Sequence, residues 1–338
     1  MTIHENYSLK AYNTFGIDVS ARWFAEVTSV DDLSALFSDA EVLTRPRFIL
    51  GGGSNILFRQ NFDGLMVKIS LMGKEVVAED EDHVYVKAGA GEVWHNFVLW
   101  SIEQGYAGIE NLSLIPGQVG AAPMQNIGAY GVELKDVFHE LEAWFPATNE
   151  LKTFDAEACQ FGYRESVFKR ALKNQCIITS VTLRLAKQPS FNTSYGAIEA
   201  ELKAQGVEEL SIRAVSNAVI NIRQSKLPNP AEIGNAGSFF KNPVIPNAQY
   251  EAVKAQHPDV VAYPAGPEHT KLAAGWLIEH AGWKGETFGS YGVHKRQALV
   301  LVNYGGASGN EVYDLSERIL QSVKEKYDVQ LEREVNIL

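Results

Sequence analysis

Cysteine is nearly missing: Cys159 and Cys176 are the only two. They form no CxxC arrangement, so neither a zinc cluster nor a disulfide framework is indicated, and a reducing compartment fits. Long apolar runs are absent as well. No segment stays apolar far enough to span a bilayer, and residues 1–7 have neither a basic nor an apolar leader region, so a cytoplasmic location with no membrane partner is expected. Basic residues are outnumbered 30 to 41, for a net charge of −11, which argues against a nucleic-acid surface built on many Lys and Arg contacts. The standard nucleotide fingerprints are missing too. The nearest approach to G-x-G-x-x-G is Gly89-Ala90-Gly91, which runs on to Trp94 without a third glycine, and no G-x-x-x-x-G-K-[ST] occurs. A Rossmann domain or a P-loop enzyme is therefore disfavoured. The eight histidines are scattered, with no HExxH, and read as surface or packed residues; no metal site is expected.

What is present is glycine in two dense stretches. Gly51-Gly52-Gly53-Ser54-Asn55 lies between Phe48-Ile49-Leu50, which reads as a buried strand, and Ile56-Leu57-Phe58. Ile115-Pro116-Gly117-Gln118-Val119-Gly120 runs on through Gly128 and Gly131. Without Cβ atoms, successive N–H groups can converge on phosphate oxygens, so two such loops suggest a backbone cradle for a diphosphate. Taken alone, the first loop could equally be a turn. The second tips the balance, since a simple turn does not need so many glycines.

With 338 residues, 46% hydrophobic and 21% charged, the chain has the composition of a folded protein of two or three domains. Its first third alternates short strands with helices, including Phe24–Val27, a helix over 31–37, 64–69 and 84–89, which reads as α+β. An amphipathic helix is predicted over 92–104, with Val93, Phe97, Val98, Trp100 and Ile102 at helical spacing. Residues 140–145, 151–154 and 176–185 read as strands of an antiparallel sheet. A helix over 213–224 meets Pro228 and Pro230, and a domain junction is placed there. Beyond it come helices over 248–256, 270–281 and 309–327, the last opened by Ser308 and Glu311 at capping-box spacing, and a core strand over 298–302.

Several ordered motifs then carry a resemblance. Tyr12-Asn13-Thr14-Phe15-Gly16, both glycine stretches, Phe161-Gly162-Tyr163-Arg164, Ser225-Lys226, Ala236-Gly237-Ser238 through Asn242, and Leu331 to Val335 resemble the UDP-N-acetylenolpyruvoylglucosamine reductases over nearly the whole chain. The resemblance implies an α+β chain in which a two-part FAD-binding domain of the vanillyl-alcohol oxidase type is followed by an α+β substrate domain. Boundaries are expected at 1–70 and 71–226 for the FAD parts and 227–338 for the substrate domain, whose C-terminal segment returns to the active site. The implied activity is FAD-mediated, NADPH-dependent reduction of UDP-N-acetylglucosamine enolpyruvate to UDP-N-acetylmuramate in peptidoglycan precursor synthesis, by a monomer in which NADP and substrate take turns in one site.

By the same resemblance, Gly51, Gly52, Gly53, Ser54, Asn55, Ile115, Pro116, Gly117, Gly120 and Gly128 hold non-covalent FAD, with Arg223 near the flavin. Ser238 is the proton donor, and Arg164 and Glu334 engage the substrate carboxylate, where a fixed cation would stabilise the developing enolate. Tyr195 belongs to a loop that closes over the nucleotide in the longer family subtype. Lys226, Asn242, Tyr263, Lys284 and Gln297 contact the UDP part. On the residues alone, Ser238 also reads as a turn serine, Arg164 and Glu334 as ion-pair partners, Tyr195 as a loop aromatic, and Lys226 as a cation at a helix end. Two departures stand out: Asn336 where the family commonly has arginine, and Ala121-Ala122 in place of a more hydroxyl-rich pair. A different FAD oxidoreductase of the same fold and a non-enzymatic nucleotide sensor remain the competing readings.

Overall fold

The computed structural model describes residues 1–338, with the surroundings of every residue defined except those of Gly196. Two compact units result. The first comprises Met1–Tyr7, Ala21–Gly52 and Asp63–Ser225; the second comprises Ser8–Ser20, Gly53–Phe62 and Lys226–Leu338.

The first unit holds two sheets. In one, the strands run in the order Ile3–Ser8, Ser20–Val27, Phe62–Ile69, Arg47–Leu50, with the last two parallel. The helix Val30–Phe37 covers it, opened by a capping box in which Ser29 and Asp32 satisfy each other's backbone N–H groups. Leu33, Leu36 and Phe37 pack with Val27, Val67 and Trp144. Because Arg47–Leu50 is an edge strand, only Leu50 of the expected buried run is fully enclosed. The other sheet is antiparallel, in the order Glu150–Asp155, Phe138–Phe145, Ile177–Ala186, His83–Gly89, Lys74–Glu79, as the alternation of the middle third leads one to expect. Its central strand, Ile177–Ala186, is buried along nearly its whole length. The helix Trp94–Glu103 packs on this sheet through Trp94, Phe97, Val98 and Ile102. The helix Ile212–Lys226 extends two residues further than its periodicity suggests and takes in Lys226.

The second unit is built around the helix Gly309–Tyr327. Its capping box, with Glu311 N–H donating to Ser308 Oγ and Ser308 N–H to Glu311 Oε2, matches the spacing read in the sequence. Val312, Leu315, Ile319 and Val323 are fully enclosed on one face. One three-stranded sheet has the order Val244–Pro246, His269–Leu272, Ala262–Pro264. Residues 270–272, expected to begin a helix, are instead the middle of that sheet: Thr270 pairs with Ile245 on one side and Pro264 on the other. The helix starts later, at Ala274–His280. A second sheet has the order Thr287–Phe288, Tyr291–Val293, Leu301–Asn303. The expected strand over 298–302 is thereby shortened, since Ala298 and Leu299 form the turn that Val300 N–H closes onto Gln297 O at 3.1 Å. Among the described residues no helix is long and apolar enough to cross a membrane.

Candidate active site

Within the first unit the two glycine stretches meet. A Cβ on Gly52 would lie 3.0 Å from Gly117 Cα, and one on Gly51 would lie 3.3 Å from Gln118 Oε1. Part of the glycine requirement is therefore internal packing. Gly120 shows this most clearly: its N–H donates to Ala90 O at 3.0 Å, and a side chain there would collide with Ala90. The second stretch is pinned from below by Trp94 N–H to Gly117 O at 3.0 Å, Val119 N–H to Glu92 O at 2.9 Å, and Gln118 Nε2 to Gly91 O at 2.8 Å. Lys68 Nζ, whose pKa burial pulls down, donates to Gln118 Oε1 at 3.1 Å. Among the described residues nothing accepts a hydrogen bond from the main-chain N–H of Gly52, Gly117 or Gln118. Free N–H groups on two touching loops are the donors an anion requires. Ile115 packs against the core beneath, while Pro116 stays exposed.

A basic and aromatic cluster adjoins that stretch in the same unit. Arg223, on the helix Ile212–Lys226, donates through Nε to Leu114 O at 3.2 Å and pairs with the Tyr130 hydroxyl. Burial pulls the Arg223 pKa down and pushes that of Tyr130 up, yet a guanidinium stays charged throughout the working range. The Tyr130 and Tyr195 rings meet edge to face at 5.4 Å. Arg164 donates through Nη2 to Gly128 O at 2.7 Å. Asn111 Nδ2 bridges Tyr130 O and Asn192 O, at 3.0 and 2.8 Å, and so ties the loop bearing Tyr195 to the glycine stretch. Leu114, Tyr130 and Arg164 all have left-handed backbones, with φ of 58°, 51° and 54°. Three bulky residues in a sparsely populated region mark a place where tertiary contacts override local preference.

In the second unit, backbone pairing sets Phe239, the residue after Ser238, against Glu334. Ser238 bridges Val300, Phe239 N–H donates to Leu299 O at 2.8 Å, and Glu334 N–H donates to Phe239 O at 2.9 Å. Ser238 and Glu334 are both half-buried. Asn55 Nδ2 reaches Glu334 O at 3.2 Å, and Asn336 returns two hydrogen bonds to Asn55 O, from its backbone at 3.1 Å and its side chain at 3.0 Å. The Asn336 departure thus carries a structural role. Gly53 has φ of 63°, and its carbonyl accepts from Thr14 N–H at 3.1 Å. Ser54 is half-buried beside it.

The nucleotide candidates of the second unit fall into two groups. Asn242 and Gln297 both reach the start of the helix Ala274–His280: Asn242 Oδ1 accepts Ala274 N–H at 2.9 Å, and Gln297 Oε1 would lie 3.3 Å from a Cβ on Gly275. Gln297 Oε1 also accepts Leu299 N–H at 3.3 Å. Lys226 and Tyr263 are exposed, and Lys284 is in an ion pair with Glu279 at 2.7 Å. Reading the sequence does not single out Lys68, His95, Asn111 or Gln118 as supports. The available signal is a polar residue inside an apolar pattern, as with His95 between Trp94 and Phe97.

A family model described as an FAD binding domain matches residues 21–154. Another, described as the C-terminal domain of UDP-N-acetylenolpyruvoylglucosamine reductase, matches residues 229–338. The chain is 50% identical over 339 residues to the UDP-N-acetylenolpyruvoylglucosamine reductase of Flavobacterium johnsoniae, covering 100% of both chains. It is 49% identical over 333 residues to that of Pseudomonas putida, covering 98% of both. Among solved structures it is similar to the reductase from Thermus caldophilus, with a TM-score of 0.67 at 24% identity over 99% of this chain and 98% of that one. It is also similar to p-cresol methylhydroxylase with substrate bound, with a TM-score of 0.52 at 12% identity over 97% and 84%. The two structural likenesses bear on the fold alone, which is α+β with an FAD-binding domain of the vanillyl-alcohol oxidase type.

Proposed function

This chain belongs to the UDP-N-acetylenolpyruvoylglucosamine reductase family, and from that premise we infer how its own residues carry the NADPH-dependent, FAD-mediated reduction of UDP-N-acetylglucosamine enolpyruvate to UDP-N-acetylmuramate. As such it is an FAD-dependent oxidoreductase of peptidoglycan precursor synthesis. The observation that carries the residue assignment is the meeting of Gly52 with Gly117 beside free main-chain donors, because that arrangement fits a diphosphate and needs no cationic fingerprint. When bound, FAD would supply the hydride-transfer chemistry that links NADPH to the enolpyruvyl double bond.

Gly51, Gly52, Gly117, Gly120 and Gly128, with Ile115 and Pro116, form the cradle of the first unit; Gly53, Ser54 and Asn55 continue the first loop. Arg223 places a half-buried positive charge beside the second glycine stretch, through its bond to Leu114 O. Ser238 holds the proton destined for the substrate carbon, and Glu334, whose N–H bonds the carbonyl of the residue after Ser238, and Arg164 are assigned to the substrate carboxylate. Tyr195 covers the nucleotide. Asn242 and Gln297 have their carbonyl oxygens engaged by backbone N–H groups, which leaves each NH2 as a donor suited to the acceptor-rich uracil and phosphates. Lys226, Tyr263 and Lys284 complete the UDP contacts, and the enzyme works as a cytoplasmic monomer.

Two experiments test this. Anaerobic protein reduced with just enough NADPH and then mixed with the enolpyruvyl substrate should regain its oxidised flavin bands. Bands that bleach and stay bleached would remove the assigned substrate, and a colourless protein would remove the cofactor. Lys226→Ala should raise the UDP-sugar dissociation constant about tenfold, or about 1.4 kcal/mol, with flavin reduction unchanged. Unaltered affinity in a titration would take Lys226 out of the site.

A further inference from the structure

We propose that His95 is a positioning residue for Arg223, acting through the backbone of Leu114. The proposal rests on the FAD reading above. Leu114 is held at both ends of its backbone: its N–H donates to His95 Nδ1 at 2.9 Å, and its carbonyl accepts Arg223 Nε at 3.2 Å. Between those bonds Leu114 has φ of 58°, a conformation a leucine does not adopt unaided. His95 stands at the second position of the helix Trp94–Glu103, whose first turn contacts the loop three times. Trp94 Nε1 donates to Leu112 O at 3.0 Å, Trp94 N–H donates to Gly117 O at 3.0 Å, and His95 receives Leu114 N–H between them.

Of the three contacts only that of His95 is an acceptor, and only it touches the left-handed residue. A backbone N–H can only donate, so Nδ1 must be bare and the ring proton must sit on Nε2. Burial, then the nearby Arg223 charge, pull the His95 pKa down and keep the ring in that neutral form. Removing the ring acceptor frees Leu114 to leave its strained conformation. The Leu114 carbonyl then turns away from Arg223, and the guanidinium keeps only its pairing with the Tyr130 hydroxyl to hold it beside the glycine cradle.

The test compares His95→Leu with His95→Asn in the full-length holoprotein, because asparagine hangs Oδ1 from Cγ where histidine has Nδ1. Two readouts are taken: hydrogen exchange at the Leu114 amide and the FAD dissociation constant. His95→Leu should speed Leu114 exchange and weaken FAD by about tenfold each, as expected for one lost hydrogen bond, while His95→Asn stays within about twofold of wild type. The double variant His95→Leu/Leu114→Gly should recover FAD affinity to within about threefold, since glycine adopts positive φ freely. Unchanged readouts in His95→Leu, an asparagine variant as impaired as the leucine one, or no rescue by glycine would each overturn the proposal. Absence of flavin from wild-type protein would defeat the FAD reading instead, and the Leu114 exchange contrast would still be readable.

Discussion

Ser238→Ala is expected to leave bleaching of the flavin by NADPH within about twofold of wild type and to slow its reoxidation by the enolpyruvyl substrate roughly a thousandfold, or about 4 kcal/mol. Hydride arriving at one carbon of the double bond pushes charge toward the carboxylate, and the neighbouring carbon must take a proton. A half-buried hydroxyl on a segment clamped from both sides can deliver that proton only if its backbone does not wander. Phe239 N–H bonds Leu299 O at 2.8 Å, and Phe239 O receives Glu334 N–H at 2.9 Å, so the residue after Ser238 is tied to both neighbouring segments. The alanine variant keeps those backbone bonds, which separates chemistry from folding. Rapid-mixing spectroscopy of the two half-reactions decides the matter: equal losses in both would remove Ser238 from proton delivery.

Gly53→Ala should destabilise the protein by about 3 kcal/mol or more and strip it of flavin. Two penalties coincide there. The backbone has φ of 63°, and the added Cβ would sit 1.9 Å from Tyr12 O, a main-chain atom that cannot swing aside. Tyr12 belongs to a loop braced by Asn13, which donates to Leu9 O at 2.8 Å and to Ile17 O at 3.1 Å and accepts Ile17 N–H at 2.9 Å. This bracing accounts for the Tyr12 to Gly16 motif: it builds the wall against which the first glycine loop folds. A melting temperature within about 2 °C of wild type would show that the loop yields more easily than its hydrogen bonds suggest.

Which parts of this molecule can be read in advance follows from where the information lies. The helix Gly309–Tyr327 is legible to the residue, because its cap and its apolar stripe are both local. The antiparallel strands of the first unit are legible for the same reason. Residues 270–272 are not, since their strand identity comes from partners on two distant segments, Val244–Pro246 and Ala262–Pro264. In the site, the glycine loops announce themselves through composition, but their meeting at Gly52 and Gly117 is a tertiary contact that composition does not give. The roles of Ser238, Arg164 and Glu334 come from resemblance, as neither serine nor a charged pair is distinctive alone. Leu114, Tyr130 and Arg164 carry no sequence trace of their left-handed backbones, because glycine or asparagine would be the local choice and the contacts that override it are remote.

The second unit draws on Ser8–Ser20 and Gly53–Phe62 as well as everything from Lys226 onward. During synthesis these two early segments leave the ribosome long before the residues they pack with, and they carry Ile56, Leu57 and Phe58, all buried at the end. Until Asn336 and Ile337 emerge to pair with Ile56 and Leu57, that apolar stretch has no strand partner. The chain thus postpones this pairing until residues 336 and 337 are made, a costly closure of high contact order. Dividing the gene after residue 225 would give no tidy pair of fragments: the first would hold its whole unit plus Ser8–Ser20 and Gly53–Phe62, and the second would lack those two segments of its own. Nascent chains stalled short of residue 336 should be the form that seeks a chaperone.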